Sequence, residues 1–432
     1  MDLASLEASL IDGSFKGMPS GSRPFPLGEI GAKGWNILRE DLPLPVALLK
    51  QSALSHNSRW MRRFLELTGA KICPHGKTTM SPQLYRQQLD DGAWGITLAT
   101  VGQVQIARRY GVRRILLANQ LVGRQALQYI VREVAADPQF DFYCLVDSLA
   151  GVELLAAEAR RQKCPRPVQV LVEGGVRGAR CGCRDVESAL DVARAAKQNE
   201  PHVCLRGVEG FEGIIRGDTP EAAEEPVSRY LAFLVEIASR CDEEKLVAEG
   251  PMILTAGGSG YYDLVVRHLS EAKLSRPVDV IIRSGCYLTH DSGTIRRLHE
   301  RLLARSPEAR TIGDPPRAAL EVWTYVQSRP EPTRAILTLG KRDCSFDDRL
   351  PMPERWFRPG MHDVPKPLAA GHVVDSLNDQ HALVDVPADS PLAVGDMVAC
   401  GISHPCTTFD RWQLLPVVDD AYNVEAAVRT FF

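Results

Sequence analysis

Between about residues 70 and 285 the chain repeats one rhythm: a short β-branched run, a polar turn, then a stretch whose apolar residues recur every three or four positions. Such alternation marks parallel strands joined by crossover helices, since period two suits a strand and period 3.6 a helix packed across it. The short runs are AKICPHGK (70–77), AWGITLA (93–99), RRILLAN (113–119), FYCLVD (142–147), VQVLVE (168–173), LRGVEG (205–210), MILTAG (252–257) and VDVIIRSG (278–285). VESALDVARAAKQ (186–198) and PVSRYLAFLVEIASR (226–240) are two of the helices predicted between them. Eight such βα units predict a closed (β/α)8 barrel of the TIM type. An open doubly wound sheet would carry a GxGxxG turn after its first strand, and none is there.

After about residue 305 helical periodicity fades, and AALEVWTYVQSR, RAILTLGKRDC, HALVDVP and GDMVACGIS alternate with Pro and Gly turns, which predicts an all-β domain. The Pro- and charge-rich stretch DDRLPMPERWFRPGMHDVPKP predicts a long loop, of a kind that often carries function. The expected organisation is an N-terminal extension over 1–44 packing with the β domain, a barrel over 45–305 and the β domain over 306–432.

Composition narrows the classes. A chain of 432 residues with 44% apolar and 24% charged residues has enough apolar material for a sizeable core and exceeds one average domain. Its 51 basic and 54 acidic residues are scattered, with a net charge of -3 and no basic run to track a phosphate backbone, so nucleic acid is a poor partner. The start, MDLASLEASLIDG, lacks the basic and apolar regions of a secretion signal, and no apolar stretch approaches about 18 residues. A cytoplasmic protein without a membrane partner is expected. The eleven cysteines are expected to be reduced core residues. Cys181 and Cys183 stand too close together for a paired-CxxC zinc site.

Barrel enzymes carry their chemistry at the C-terminal ends of the strands. Lys77 ends the first run, and strand alternation would put His75 on the same side, with Gly76 leaving room for a cofactor to approach. A lysine in a dry site loses its proton more readily and can form a Schiff base with an aldehyde. The seventh run ends in TAGGSG, where the amides of Gly258, Ser259 and Gly260 precede a helix and suit a phosphate. The eighth ends in RSGCY, a second small-residue turn comprising Ser284, Gly285, Cys286 and Tyr287. Arg180, in VEGGVRGARCG, offers a fixed cation to a phenolic oxygen or a substrate carboxylate. In GISHPCTTFDRW, Pro405 biases His404 to an extended conformation, which would turn His404 and Cys406 the same way, as a zinc-type pair with open positions. His381 is a further candidate near that pair, while His372 reads as a turn residue.

Together these residues resemble the D-serine dehydratase and D-threonine aldolase family, enzymes with the alanine-racemase type of pyridoxal-phosphate fold. The resemblance rests on PHGKTTMSPQL, ITLATVGQVQIARRYG, GGVRGARCG, TAGGSG, RSGCYLTHD and HPCTTFD, and runs from about residue 45 to residue 420. It implies that Lys77 carries pyridoxal 5'-phosphate, that Arg180 contacts it, that the turns at 258–260 and 284–287 hold its phosphate, and that His404 and Cys406 bind a divalent metal, zinc by preference. Cysteine at position 406 resembles the dehydratase branch. The acidic pair that commonly precedes the histidine matching His381 is replaced here by Asp379 and Gln380. The implied activity is elimination of water and ammonia from a D-3-hydroxy amino acid such as D-serine. The alternative is aldol cleavage to glycine and an aldehyde, with His381 as a base. A carrier of the cofactor without turnover and a racemase are the remaining readings. By the same resemblance the protein is expected to be a homodimer with its site between one barrel and the other subunit's β domain.

Overall fold

The structure, a computed structural model, describes residues 1–215, 217 and 222–432. Eight parallel strands occupy the eight predicted runs: β1 Lys71–Ile72, β2 Ile96–Leu98, β3 Arg114–Gln120, β4 Asp141–Val146, β5 Val168–Gly174, β6 Val203–Gly210, β7 Met252–Ala256 and β8 Val278–Ile282. From β2 to β8 each strand pairs with its sequence neighbours, and β8 pairs with β1 through Ile281 opposite Lys71. The seam between β1 and β2 closes through Trp94, whose N–H donates to the Ile72 carbonyl at 2.7 Å, and Thr97, whose N–H donates to the Pro74 carbonyl at 2.9 Å.

Alternation along the strands divides the apolar residues between two layers. Cys73, Leu116, Tyr143, Leu145, Leu171, Ile253 and Ile281 form one buried cluster in the lumen, while their neighbours Ile115, Leu117, Phe142, Cys144, Val170, Val172, Leu254 and Ile282 join the larger core. Because both faces are buried, the strands read as continuous apolar runs. Towards the C-terminal ends the lumen side turns polar. His75 stands two residues past Cys73, Glu173 two past Leu171 and Arg283 two past Ile281, so the register that fills the lumen also aims these groups into the barrel mouth.

The helices follow from their caps and apolar faces. Val186–Gln198 starts where Asp185 accepts from the Ser188 N–H at 2.8 Å, and buries Ala189, Leu190, Val192, Ala193 and Ala196. The second predicted helix extends to Glu224–Glu243. Among the described residues no helix is long and apolar enough to cross a membrane.

The C-terminal β domain centres on the strand Leu320–Glu331, which pairs antiparallel with Met397–Gly401 on one side and with Val46–Lys50 on the other. Trp323, Trp412 and Phe409 fill its core. Two expectations change here. Val46–Lys50, read as the start of the barrel unit, is a strand of the β domain, also paired parallel with Leu414–Val418; its four consecutive buried residues fit a central strand equally well. The stretch read as a long loop contains the strand Met352–Phe357, paired with Met397–Gly401 and with Lys366–Pro367. Pro353 is tolerated there because the ladder shifts register between Pro353 and Arg355. Between the N-terminal segment and the β domain, the Ile37 N–H donates to the Tyr422 carbonyl and the Val424 N–H to the Trp35 carbonyl. The same segment also reaches the barrel, through the Asp2 N–H on the Tyr110 carbonyl. His372 is a buried turn residue held by the Ala369 carbonyl and the Ser390 hydroxyl, both at 2.8 Å.

Candidate active site

β1 ends at Ile72, and after Pro74 and His75 the chain makes one tight helical turn, Gly76–Thr78, in which Lys77 sits. Gly76 is required: a Cβ there would lie 2.8 Å from both Tyr85 and Ile96, and the Tyr85 hydroxyl donates to the Gly76 carbonyl at 2.8 Å. Lys77 is therefore not presented by strand alternation as expected, whereas His75 is still extended, and both border one cavity of about 540 Å³ at the barrel mouth. Burial lowers the Lys77 pKa, the Arg180 and Arg283 cations lower it further, and the neighbouring Cys406 and Cys286 thiols oppose them. His75 is kept neutral by burial and by Lys77, and its Nδ1 is buried without a partner.

The two glycine turns meet on one wall. The Ser284 hydroxyl donates to the Gly258 carbonyl at 2.8 Å, and Gly285 packs so closely that a Cβ would come within 2.6 Å of the His75 carbonyl and of the Thr78 hydroxyl. Among the described residues the amides of Ser259, Gly260, Gly285 and Cys286 have no acceptor within the chain, which suits an anion. The Gly258 amide is committed elsewhere, donating to the Glu212 carboxylate at 3.1 Å. Gly260 borders an adjoining cavity of about 690 Å³ with Ser259, Arg297 and His404. Tyr287 is buried behind the turn with Trp60 and His299 and does not border the lysine cavity. Arg180 does border it, its guanidinium 5.2 Å from the centre of the Phe211 ring.

Below these groups lies a polar floor that the motifs did not single out. Arg283 is fully buried, paired with Glu209 and donating to the Gly210 carbonyl at 2.8 Å. Glu173 accepts from Gln120, and its pKa is pushed up to about 7 by burial and then by Glu209. The signal available in the sequence was the lumen register, which turns from apolar to charged at the strand ends.

The β domain supplies the remaining corner. Pro405 is helical and Cys406 opens a short helix, Cys406–Phe409, so His404 and Cys406 leave a bend and not the extended segment expected. The Cys406 thiol lies 3.4 Å from the Thr78 hydroxyl and 3.7 Å from the Cys286 sulfur. His404 Nδ1 is 2.6 Å from Asp347, whose other oxygen accepts from the Thr407 hydroxyl at 2.7 Å. Contact with Cys406, and then with Asp347, raises the His404 pKa to about 9. Cys286 and His404 hold the Cys406 thiol well below its ordinary value. Asp347, missed as a site residue, begins the charged stretch read as a functional loop. Among the described residues no three His, Cys, Asp or Glu side chains gather as a metal cluster, so the corner offers a metal two donors, an imidazole and a thiol, with a carboxylate orienting the imidazole. Cys181 is exposed, Cys183 hydrogen-bonds the Asp147 carbonyl, and all eleven cysteines are free. His381 is not brought to the site: it is exposed on the turn after Leu377, where its carbonyl accepts from the Asn378 N–H, and it borders neither cavity.

A parallel barrel with a half-buried lysine of lowered pKa facing free amides defines a class, the barrel enzymes that work through an aldehyde cofactor. Pyridoxal phosphate suits the residues present: an amine to carry it, open amides for its phosphate, an unpartnered His75 nitrogen, and a Gly285 surface that any side chain would obstruct. The chain belongs to the alanine racemase family, matching its N-terminal domain over residues 49–281, with a putative serine dehydratase domain matching residues 319–418. It is similar to the D-threonine aldolase of Arthrobacter sp, at 23% identity over 87% of this chain and 89% of that one. Among solved structures it is similar to the D-threonine aldolase from Filomicrobium marinum, with a TM-score of 0.73 and 18% identity over 92% of this chain and 97% of that one. It is also similar to a cysteine-to-alanine mutant of D-threo-3-hydroxyaspartate dehydratase in the metal-free form, with a TM-score of 0.68 and 20% identity over 92% and 99% of the two chains.

Proposed function

We propose that this protein is a pyridoxal-phosphate lyase of D-3-hydroxy amino acids whose reaction is dehydration, giving a 2-oxo acid and ammonia, with D-serine converted to pyruvate. The observation that carries the reading is that Lys77 and Cys406 border the same cavity, so a base for Cα and a metal donor for the 3-hydroxyl face one substrate. When bound, the cofactor supplies an electron sink for the pair left at Cα. A divalent metal, zinc by donor type, would be held by His404 and Cys406 and would polarise the 3-hydroxyl as a Lewis acid.

The chain's own residues do the rest. Lys77 Nζ, favoured as a free amine by burial, carries the cofactor and, once released, takes the α-proton. Arg180 fixes an anionic group of cofactor or substrate, and the open amides of the two glycine turns hold the phosphate. Asp347 keeps the His404 ring oriented. Loss of the α-proton and of the hydroxyl as water leaves an enamine, which water hydrolyses to the oxo acid and ammonia. Aldol cleavage, the activity named for the Arthrobacter relative, needs a base for the hydroxyl proton, and His381 stands away from the cavity within this chain. We also propose that the protein acts as a cytoplasmic homodimer, which light scattering after gel filtration tests. Product analysis on a panel of D-3-hydroxy amino acids, with and without a chelator, tests the reaction: pyruvate and ammonia from D-serine are expected, and predominant glycine would overturn dehydration.

A further inference from the structure

Cys286 and Cys406 come from different domains and 120 positions apart, yet their sulfurs lie 3.7 Å apart at the edge of the lysine cavity. Sequence reading assigned them unrelated work, one as part of an anion turn and the other as a metal donor. The neighbouring Thr78 hydroxyl stands 3.4 Å from the Cys406 sulfur and 3.8 Å from the Cys286 sulfur. Other thiols, such as Cys73, Cys144 and Cys241, are buried and border neither the lysine cavity nor the one adjoining it. The 286/406 pair combines proximity with access, because the cavity beside it admits small molecules.

We propose that this pair is an oxidative modification site, at which a hydroperoxide joins Cys286 to Cys406 in a reversible disulfide. Bond formation requires the sulfurs to close from 3.7 Å to about 2.0 Å. One thiolate attacks the peroxide oxygen, giving a sulfenic acid and releasing the first water or alcohol. The second thiolate then displaces hydroxide, which leaves as water, so two thiols are oxidised as one peroxide is reduced. The product removes the sulfur assigned to the metal and ties the barrel to the β domain across the cavity. A metal on Cys406 is expected to protect the pair, which makes the site sensitive when metal is scarce. The chemistry rests on the sulfur positions alone, so it stands or falls separately from the lyase reading.

The full-length protein, reduced and then treated with chelator, is exposed to one equivalent of hydrogen peroxide and its thiols are titrated after denaturation. We expect two of the eleven thiols to disappear, a mass loss of two hydrogens, and a non-reducing peptide map joining the peptide of Cys286 to that of Cys406. Dithiothreitol is expected to restore all eleven. Cys286→Ser, and separately Cys406→Ser, should each abolish the cross-link. Retention of every thiol, a link between other cysteines, or conversion of Cys406 to its sulfinic acid without a link would overturn the proposal.

Discussion

The barrel wall of the cavity takes its residues from strand ends, where register decides which side chains face inward. The β-domain corner takes His404 and Cys406 from a bend that is held in place by Asp347, 57 positions away in the chain, and by Thr407. The first construction is local, with each group standing in a barrel strand or in the turn that directly follows one. The second depends on side chains brought together by packing between distant segments. Substitutions in the barrel wall should therefore act through lost chemistry or steric conflict, and those at the corner through lost orientation.

The largest difference is expected from Lys77→Ala, which should abolish the absorbance of the bound cofactor and reduce turnover on the order of 10³-fold or more. A variant that retains the band would show that the cofactor is carried by a residue other than Lys77. His404→Ala should weaken metal binding by at least 10–100-fold, read by chelator competition, while the cofactor band survives because Lys77 is untouched; this figure is roughly that for losing a metal-orienting partner. Gly285→Ala forces a methyl group within 2.6 Å of the His75 carbonyl and should cost about 1–3 kcal/mol, measured by chemical denaturation, with weaker cofactor retention. Asp347→Asn leaves both proposed metal ligands in place and should lower metal affinity by roughly 10-fold, less than loss of His404 itself. An unchanged affinity would show that the corner needs no carboxylate. The smallest effect concerns the floor. The folded protein holds a proton on Glu173 between pH 4.5 and about 7 that the unfolded chain releases, so this group's contribution to stability falls as pH rises through that window. Glu173→Gln should flatten the decline, as followed by urea unfolding from pH 5 to pH 8.

These two constructions also account for what could be read in advance. The eight strands and the helix over 186–198 were legible because burial on both faces gives continuous apolar runs and a capped helix carries its own period. Lys77 and the small-residue turns were legible as interruptions of that pattern. Their detailed presentation was not. A tight turn carries Lys77 in place of a strand, and the Gly258 amide is occupied by Glu212, a partner supplied by another strand's loop. Pro353 hid the strand Met352–Phe357, since only the partner ladder shows that a bulge accommodates it. Asp347 was obscured for a related reason: its importance comes from meeting His404, and nothing local to either residue announces the meeting. His381 illustrates the converse, a suitable side chain near the right motifs that folding leaves facing outward.

The strand Val46–Lys50 precedes the barrel yet lies between Leu320–Glu331 and Leu414–Val418 in the C-terminal sheet. The polypeptide thus gives this sheet strands from both sides of the barrel segment, with the barrel inserted like a clause between brackets. Excising either module with a single cut would strip an interior ribbon from the other, so grafting this barrel onto a foreign cap, or the reverse, calls for two junctions, one of them just ahead of Gln51.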